Sequence, residues 1–540
     1  MNISWIDLTI IAGYLVGIVA IGVWVGRGRQ SSRDYFLAGR SLGWGVVGAS
    51  LFASNISTVH IVGFAESGFV SGLSDGIFEW MAIPCLVFLG VFIAPFYQRR
   101  QLATIPEYFE RRFNGVARTF MVIFAILTAL LIHIGISLYA GATIMREFFA
   151  LDQLYGVLLI SGLTALYTIV GGLKAVAVTE TIQSVMLLGG SMLLTAFGIY
   201  ALGEAGVADL ADFRSRIPAG SLSMLRSDAT VATTGGIPWY AVFLGYPVLG
   251  IWYWFTDQTI VQRALGSRSE DDARRGPMFT ALLKLAPVFF MLLPGLVAYV
   301  LFREEIAAAG SGQTFSILVR RLLPVGLMGV VVASLLAALM SSVAAALNSS
   351  ATLVSIDIVK RLRPATADAR LVVIGKATAF AVMVLAVVFS LVAGARGGSI
   401  ITIVNSIGSS IAPSISAVFI LGYFWRRGTQ QAATATFAVG LILGVLMFFL
   451  DFPGADGRKL ITDGWGIIFM MQAWYAFVIC CLVFVAVSLA TPPPSEEQRA
   501  YVFRADEYFG PWAGWTDYRS VGLGVLLLLV ICWAIIENLA

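Results

Sequence analysis

Charge is what this sequence has least of. Of its 540 residues only 12% are Asp, Glu, Lys or Arg, histidine occurs twice, and 59% are hydrophobic. A mean hydropathy of +0.87 excludes an ordinary water-soluble domain, so the chain reads as an integral membrane protein. Cysteine is scarce too. Cys85, Cys480, Cys481 and Cys532 all fall in apolar segments, form no CxxC or other spaced set, and read as small core residues. There is no HExxH, and the two histidines, His60 and His133, lie in separate segments. An intramembrane metalloenzyme would lack its ligands, and no enzyme is expected.

Long apolar runs are what it has instead. A hydrocarbon core of about 30 Å takes about 20 helical residues, and runs of that length recur from Trp5 to Leu539. They are continuous rather than alternating, which excludes a β-barrel and predicts an all-α protein of about fourteen transmembrane helices. The first run, Ile6 to Val25, has no basic segment before it, contains Asp7 and is followed by GRGRQSSR. It is a retained helix, not a signal peptide. The formal net charge of +4 comes from Lys and Arg in short loops, where they act as topology signals and not as a nucleic-acid surface. Arg27, Arg29, Arg33 and Arg40 follow the first helix, Arg99, Arg100, Arg111, Arg112 and Arg118 the third, and Lys174 the fifth. Arg263, Arg268, Arg274 and Arg275 follow the seventh, Lys360, Arg361, Arg363 and Arg370 the ninth, and Arg426 and Arg427 the eleventh. All basic loops then share the cytoplasmic face, and both termini are extracytoplasmic. The loops at 202–236 and 303–321, rich in Gly, Ala and Ser, face outward. The Pro-marked segment at 491–515 reads as an inside linker that separates the last helix from the bundle.

Polar residues within such helices cost free energy and mark candidate sites. In SNISTVHIVGFAESGF (54–69), Ser54, Asn55, Ser57, Thr58 and His60 occupy consecutive turns, followed by Gly63 and Gly68. This predicts an interrupted helix whose freed carbonyls can bind an ion; a polar packing seam is the alternative for the hydroxyls. Glu79, in GIFEWMA (76–82), is a lone carboxylate in an apolar run, whereas Glu66 lies nearer a helix end and reads as solvated. In ASLLAALMSSVAAALNSSAT (333–352), Ala338, Ser341 and Ser342 stand at i, i+3 and i+4 on one helix face. Their neutral oxygens suit a small hard monovalent cation held weakly enough to be released; close packing of small residues reads equally well. In GIWYWFTDQTIVQRAL (250–265), aromatic faces adjoin Asp257 and Gln258, with Lys284 one helix on. That suits the CH faces and hydroxyls of a sugar, the alternatives being an interfacial belt for Trp252 and snorkelling for Lys284. His133, Glu180 and Asn405 stand as isolated polar residues, structural or ligating.

Taken in order, ASNISTVHIVGFAESGF, GIFEWMA, TIPEYFERRF (104–113), GGLKAVAVTETIQSVMLLGGS (171–191), WYWFTDQTIVQR and LMSSVAAALNSSATLVSIDI (339–358) resemble the sodium/solute symporter family. The likeness is closest to its sodium/glucose cotransporter branch and runs from the first helix to about residue 427. It implies a LeuT-type fold of two five-helix inverted repeats around a midplane site. An additional helix and cytoplasmic loop would occupy 1–42, the repeats 43–202 and 237–427, and an extracellular loop 203–236. Two further helices would fill 428–490, a cytoplasmic linker 491–519 and the last helix 520–540.

The same resemblance implies sodium (Na+) on the carbonyls of Ala53 and Ile56 and on Ala338, Ser341 and Ser342. It implies a sugar on Asn55, His60, Glu79, Tyr253, Trp254, Lys284 and Asn405, with Tyr253 as inner gate and Phe64 and Phe78 as outer gate. The expected function is sodium-coupled import of a neutral glucose- or galactose-like monosaccharide across the cell membrane by alternating access. A carboxylate substrate would sit badly beside Glu79. Inositol, an amino acid, sialic acid or a monocarboxylate are the alternative solutes, and a channel or sensor on the same scaffold is the competing class. Three departures stand out: Asn405 where a Gln is usual, Gly250 without the polar side chain often found there, and Ala344, Ala345 and Glu180 where two-sodium members carry hydroxyls and an Asp. One sodium per substrate is therefore expected.

Overall fold

A chain in hydrocarbon must pair every backbone N–H and C=O within itself, and this one does so with helices. The computed structural model describes residues 3–28, 31–395, 399–452 and 458–540, and of residues 59, 395 and 399–409 the backbone alone. Among the described residues there is no strand, only the isolated bridges Leu42–Ser267 and Arg226–Pro238.

Among the described residues, ten helices are long and apolar enough to cross a membrane. Interruptions conceal further passes. Gln153–Glu204 is broken at Gly172, with φ 62° and ψ −162°, a conformation that glycine alone adopts without strain. Two other passes are split into short halves, Trp44–Asn55 with Thr58–Ser71 and Trp239–Gly250 with Gln258–Leu265. With Ser399–Phe424 these bring the count to the fourteen expected.

Leu327–Lys360 lies at the centre: 94% of its most apolar stretch is buried, against 17% for Trp5–Val25. Its run of Ala and Ser lets neighbouring backbones approach closely on all sides. Thr58–Ser71 crosses Leu293–Ala309 at Gly68 and Gly295. A Cβ on Gly68 would lie 2.1 Å from the Leu292 carbonyl, and one on Gly295 2.3 Å from the Ala65 carbonyl. Gly68 therefore serves packing, and the interruption in this pass lies elsewhere.

The two faces are told apart by what their loops touch. On one, the buried Arg226 donates to the carbonyls of Ser71, Thr234 and Gly235, and Glu537 accepts from Ser223, Met224 and Leu225. Ser311 donates to Glu66, and Asp7 caps Gly326 and Gly329. The Gly-, Ala- and Ser-rich outer loops are nonetheless ordered, with Leu210–Arg216, Asp228–Thr234 and Thr314–Leu322 as helices. On the other face, Arg99 pairs with Glu270 at 2.8 Å, Arg361 with Glu110 at 2.8 Å and Arg100 with Glu507 at 3.1 Å.

Two expectations need correction here. Several arginines taken as topology signals, Arg40, Arg112, Arg118, Arg263 and Arg274, are buried; Arg112, for example, donates to the Gly422 and Trp425 carbonyls. The linker at 491–515 does not hold the last helix apart from the bundle. Phe503 N–H donates to the Tyr423 carbonyl at 2.8 Å, Tyr508 is buried, and Trp533 of Tyr518–Leu539 packs on Trp80 and Phe243 at ring distances of 6.0 and 6.1 Å. The Pro run reads as a linker locally, but the aromatics after it find tertiary partners.

Candidate substrate and sodium sites

The first broken pass changes direction at Ile56 (φ −76°, ψ 108°) and Ser57 (φ −103°, ψ 173°). His60 holds the break open. Its Nδ1 accepts from the Ser57 N–H at 3.1 Å, as a capping-box side chain does at a helix N-terminus, so the proton of the neutral ring sits on Nε2. The Ser57 N–H is thereby turned from Ala53, its ordinary i−4 helical acceptor, and the His60 N–H goes to the Ser57 carbonyl at 3.0 Å rather than to Ile56.

Hydroxyls from the central helix meet the carbonyls so released. Ser341 Oγ donates to Ala53 at 2.8 Å and to Ala338 at 2.9 Å; Ser342 Oγ lies 3.3 Å from the Ser54 carbonyl and 3.2 Å from that of Ala338. The two serines thus meet the broken pass, the juxtaposition that the family resemblance implies. Ser342 reaches Ser54 rather than Ile56, a difference of two residues along the interrupted backbone. All of these groups are buried. A monovalent cation fits this set of uncharged oxygens once the hydroxyls rotate their lone pairs inward.

The second broken pass bends at Asp257 (φ −72°, ψ 115°), which caps Gln258–Leu265 by accepting from the Thr259 N–H at 2.8 Å. Just before the bend, Tyr253 Oη accepts from Asn55 Nδ2 at 2.9 Å. Lys284 donates to the other end of that amide and, at 2.6 Å, to Glu79 Oε2. The Lys284 and Glu79 side chains are 0% and 2% exposed. Asn55, Glu79, Tyr253 and Lys284, drawn from four segments, thus form one bonded cluster. Trp254 backs it, its ring 5.0 Å from Tyr253 and 5.5 Å from Lys284 Nζ.

The remaining expected residues are arranged as follows. His60 stacks edge-on with Phe64 at 5.5 Å. Phe78 packs with Tyr246 at 6.2 Å, so the two rings expected to form the outer gate are held by different partners. Gly250 is small because a Cβ there would meet Cys85 Sγ at 2.7 Å. The Asn405 side chain lies outside the described residues.

Two polar residues that look isolated in the sequence are paired. His133 Nε2 lies 2.9 Å from Asp257 Oδ2. Glu180 forms a fully buried ion pair with Arg263 at 2.7 Å and accepts from Ser54 at 3.0 Å and from Ser50. Arg263 was hidden by its place among loop cations. Its signal was available in position, six residues past the Asp257 bend on the face of a helix rather than beyond its end.

A model of the Sodium:solute symporter family matches residues 35–440. The chain belongs to that family. Among the symporter's relatives are mouse sodium/myo-inositol cotransporter 2, 32% identical over 91% of this chain and 78% of the relative, and sheep sodium/glucose cotransporter 1, 30% identical over 90% and 79%. A Na+-coupled sialic acid symporter in a substrate-bound outward-open state shares its fold, with a TM-score of 0.75 at 19% identity over 92% of this chain and all of the other. The symporter thus has the LeuT-type fold its sequence implies, and sodium is its coupling ion. The carbonyls of Ala53 and Ser54 that meet the two serines directly precede Asn55 of the bonded cluster.

Proposed function

We propose that the symporter imports a neutral cyclic polyol, a glucose- or galactose-like monosaccharide first and myo-inositol second, with one sodium ion per substrate. The observation that carries this reading is the buried Asn55–Tyr253–Lys284–Glu79 cluster. Its charges cancel. A carboxylate substrate would need a cation that is not already paired, whereas hydroxyls can exchange into the existing bonds, accepting from Lys284 and Asn55 and donating to Glu79. Lys284 thus replaces bare repulsion by Glu79 as the reason for a neutral substrate. Relatives named for glucose and for myo-inositol match almost equally, which supports the class rather than one member of it.

Each expected repeat, 43–202 and 237–427, opens with a broken helix, bent at 56–57 and at 257. Sodium on Ala53, Ile56, Ala338, Ser341 and Ser342 would join one repeat to the other and fix the first bend. The substrate would then take up Asn55, His60, Glu79, Lys284 and Asn405, with Phe64 and Phe78 closing above it and Tyr253 below. Sodium lost to the low-sodium side would free the carbonyls and release the substrate. With the basic face cytoplasmic, both termini lie outside.

Sodium-driven uptake into proteoliposomes, measured against hexoses, inositols, amino acids and sialic acid, tests the reading. A hexose or inositol should give the highest kcat/KM, and His60→Ala should reduce its uptake at least tenfold. Preference for an amino acid or a carboxylate would overturn the substrate class. Replacing Ser342 by Ala removes a hydrogen-bonding group from a charged ligand, an effect of about 1.5–3 kcal/mol. The sodium half-saturation concentration should rise about ten- to a hundredfold, with little change in substrate affinity at saturating sodium.

A further inference from the structure

Away from both sites, a cavity of about 200 Å³ opens between Trp5–Val25, Ser137–Phe149, Gln153–Glu204 and the central helix. Its floor is buried and wholly apolar, made by Ile11, Met145, Ile160, Leu336 and Met340. Its rim is exposed, at Leu8, Ala12 and Leu159.

We infer that this crevice is a binding site for one acyl chain of a membrane phospholipid. Three observations support that occupant. The crevice borders Trp5–Val25, a helix that is 17% buried over its most apolar stretch, so it opens onto hydrocarbon and not onto water. Apolar cavities of about 150 Å³ hold benzene-sized guests, and an alkyl chain entering from lipid fills such a space without a dehydration step, restoring the dispersion contacts its lining would otherwise lack. The lining is elongated: Leu8 to Leu15 alone spans about 10 Å along its helix axis, as a chain running across the leaflet requires. At its loop end, Met145 and Phe149 flank the exposed Arg146 in sequence, while Arg320 is ion-paired with Glu147 at 3.8 Å. The exposed Arg146 guanidinium suits the lipid phosphate.

The site bears on coupling. Leu336 and Met340 belong to the helix that carries Ala338, Ser341 and Ser342, so a chain in the crevice braces that helix from behind.

The test uses the full-length protein in nanodiscs of phosphatidylglycerol and phosphatidylethanolamine containing a phosphatidylglycerol with a mid-chain diazirine. After irradiation, peptide mass spectrometry should find adducts on Leu336 or Met340, buried residues that surrounding lipid reaches only by entering the crevice. A12W and L159W each place an indole over the opening from an exposed rim position. Both should lower these adducts at least fivefold, while adducts on the lipid-exposed Leu523 and Leu527 stay constant. Absence of adducts on Leu336 and Met340 in the unaltered protein would overturn the inference. So would adducts that neither variant reduces, or labelling of these residues by a diazirine sterol that displaces the phospholipid probe.

Discussion

Replacing Lys284 by Met is expected to abolish sodium-driven uptake and to destabilise the protein by about 3–5 kcal/mol, the usual effect of leaving one member of a buried ion pair without its partner. The Lys284 and Glu79 side chains are 0% and 2% exposed, so water cannot take over solvation of the orphaned carboxylate. Asn55 Oδ1 would lose a donor as well. The double variant Lys284→Met, Glu79→Gln separates folding from transport. Removing both charges leaves no unpaired buried ion, so the melting temperature in detergent should return toward that of the unaltered protein. Uptake should stay absent, because the groups proposed to exchange hydrogen bonds with substrate hydroxyls are gone. A Lys284→Met variant that melts normally and transports at more than a tenth of the original rate would remove Lys284 from the site.

That pair also marks the limit of what was legible beforehand. The bend at 56–57 could be read from Ser54 to His60 because polar groups in consecutive turns have a local cause. Ser341 and Ser342 could be read because a helix fixes which residues share a face. Lys284 and Glu79, 205 residues apart, have no such local relation, and each shows only as a charge in need of a partner. Arg263 escapes the sequence for a related reason: positive-inside counting scores a cation by its place between apolar runs and takes no account of burial, while the structure buries it against Glu180. His133 looked isolated because its partner, Asp257, lies 124 residues on. The Pro-rich stretch at 491–494 signals a break in helix, and nothing local to it discloses that Phe503 stacks on Tyr508 and on Tyr423 of the bundle.

A single sodium ion is expected to move with each substrate. Sodium titration of uptake should give a Hill coefficient near one. One ion crossing about 100 mV gains about 2.3 kcal/mol and a tenfold gradient adds about 1.4 kcal/mol, which together limit accumulation to several hundredfold; two ions would square that limit, to the order of 10⁵. The structural reason lies around Glu180. One carboxylate oxygen accepts from Arg263 Nη2 at 2.7 Å and Ser54 at 3.0 Å, the other from Ser50 and from Arg263 Nε at 3.3 Å. A second cation arriving there would stand beside a fixed guanidinium, and two unit charges about 4 Å apart repel by about 4 kcal/mol at an effective dielectric constant near 20. One turn past the paired serines, Ala344 and Ala345 are buried and offer no hydroxyl. A Hill coefficient near two, or accumulation beyond 10⁴-fold under those gradients, would mean that Arg263 leaves Glu180 during the cycle.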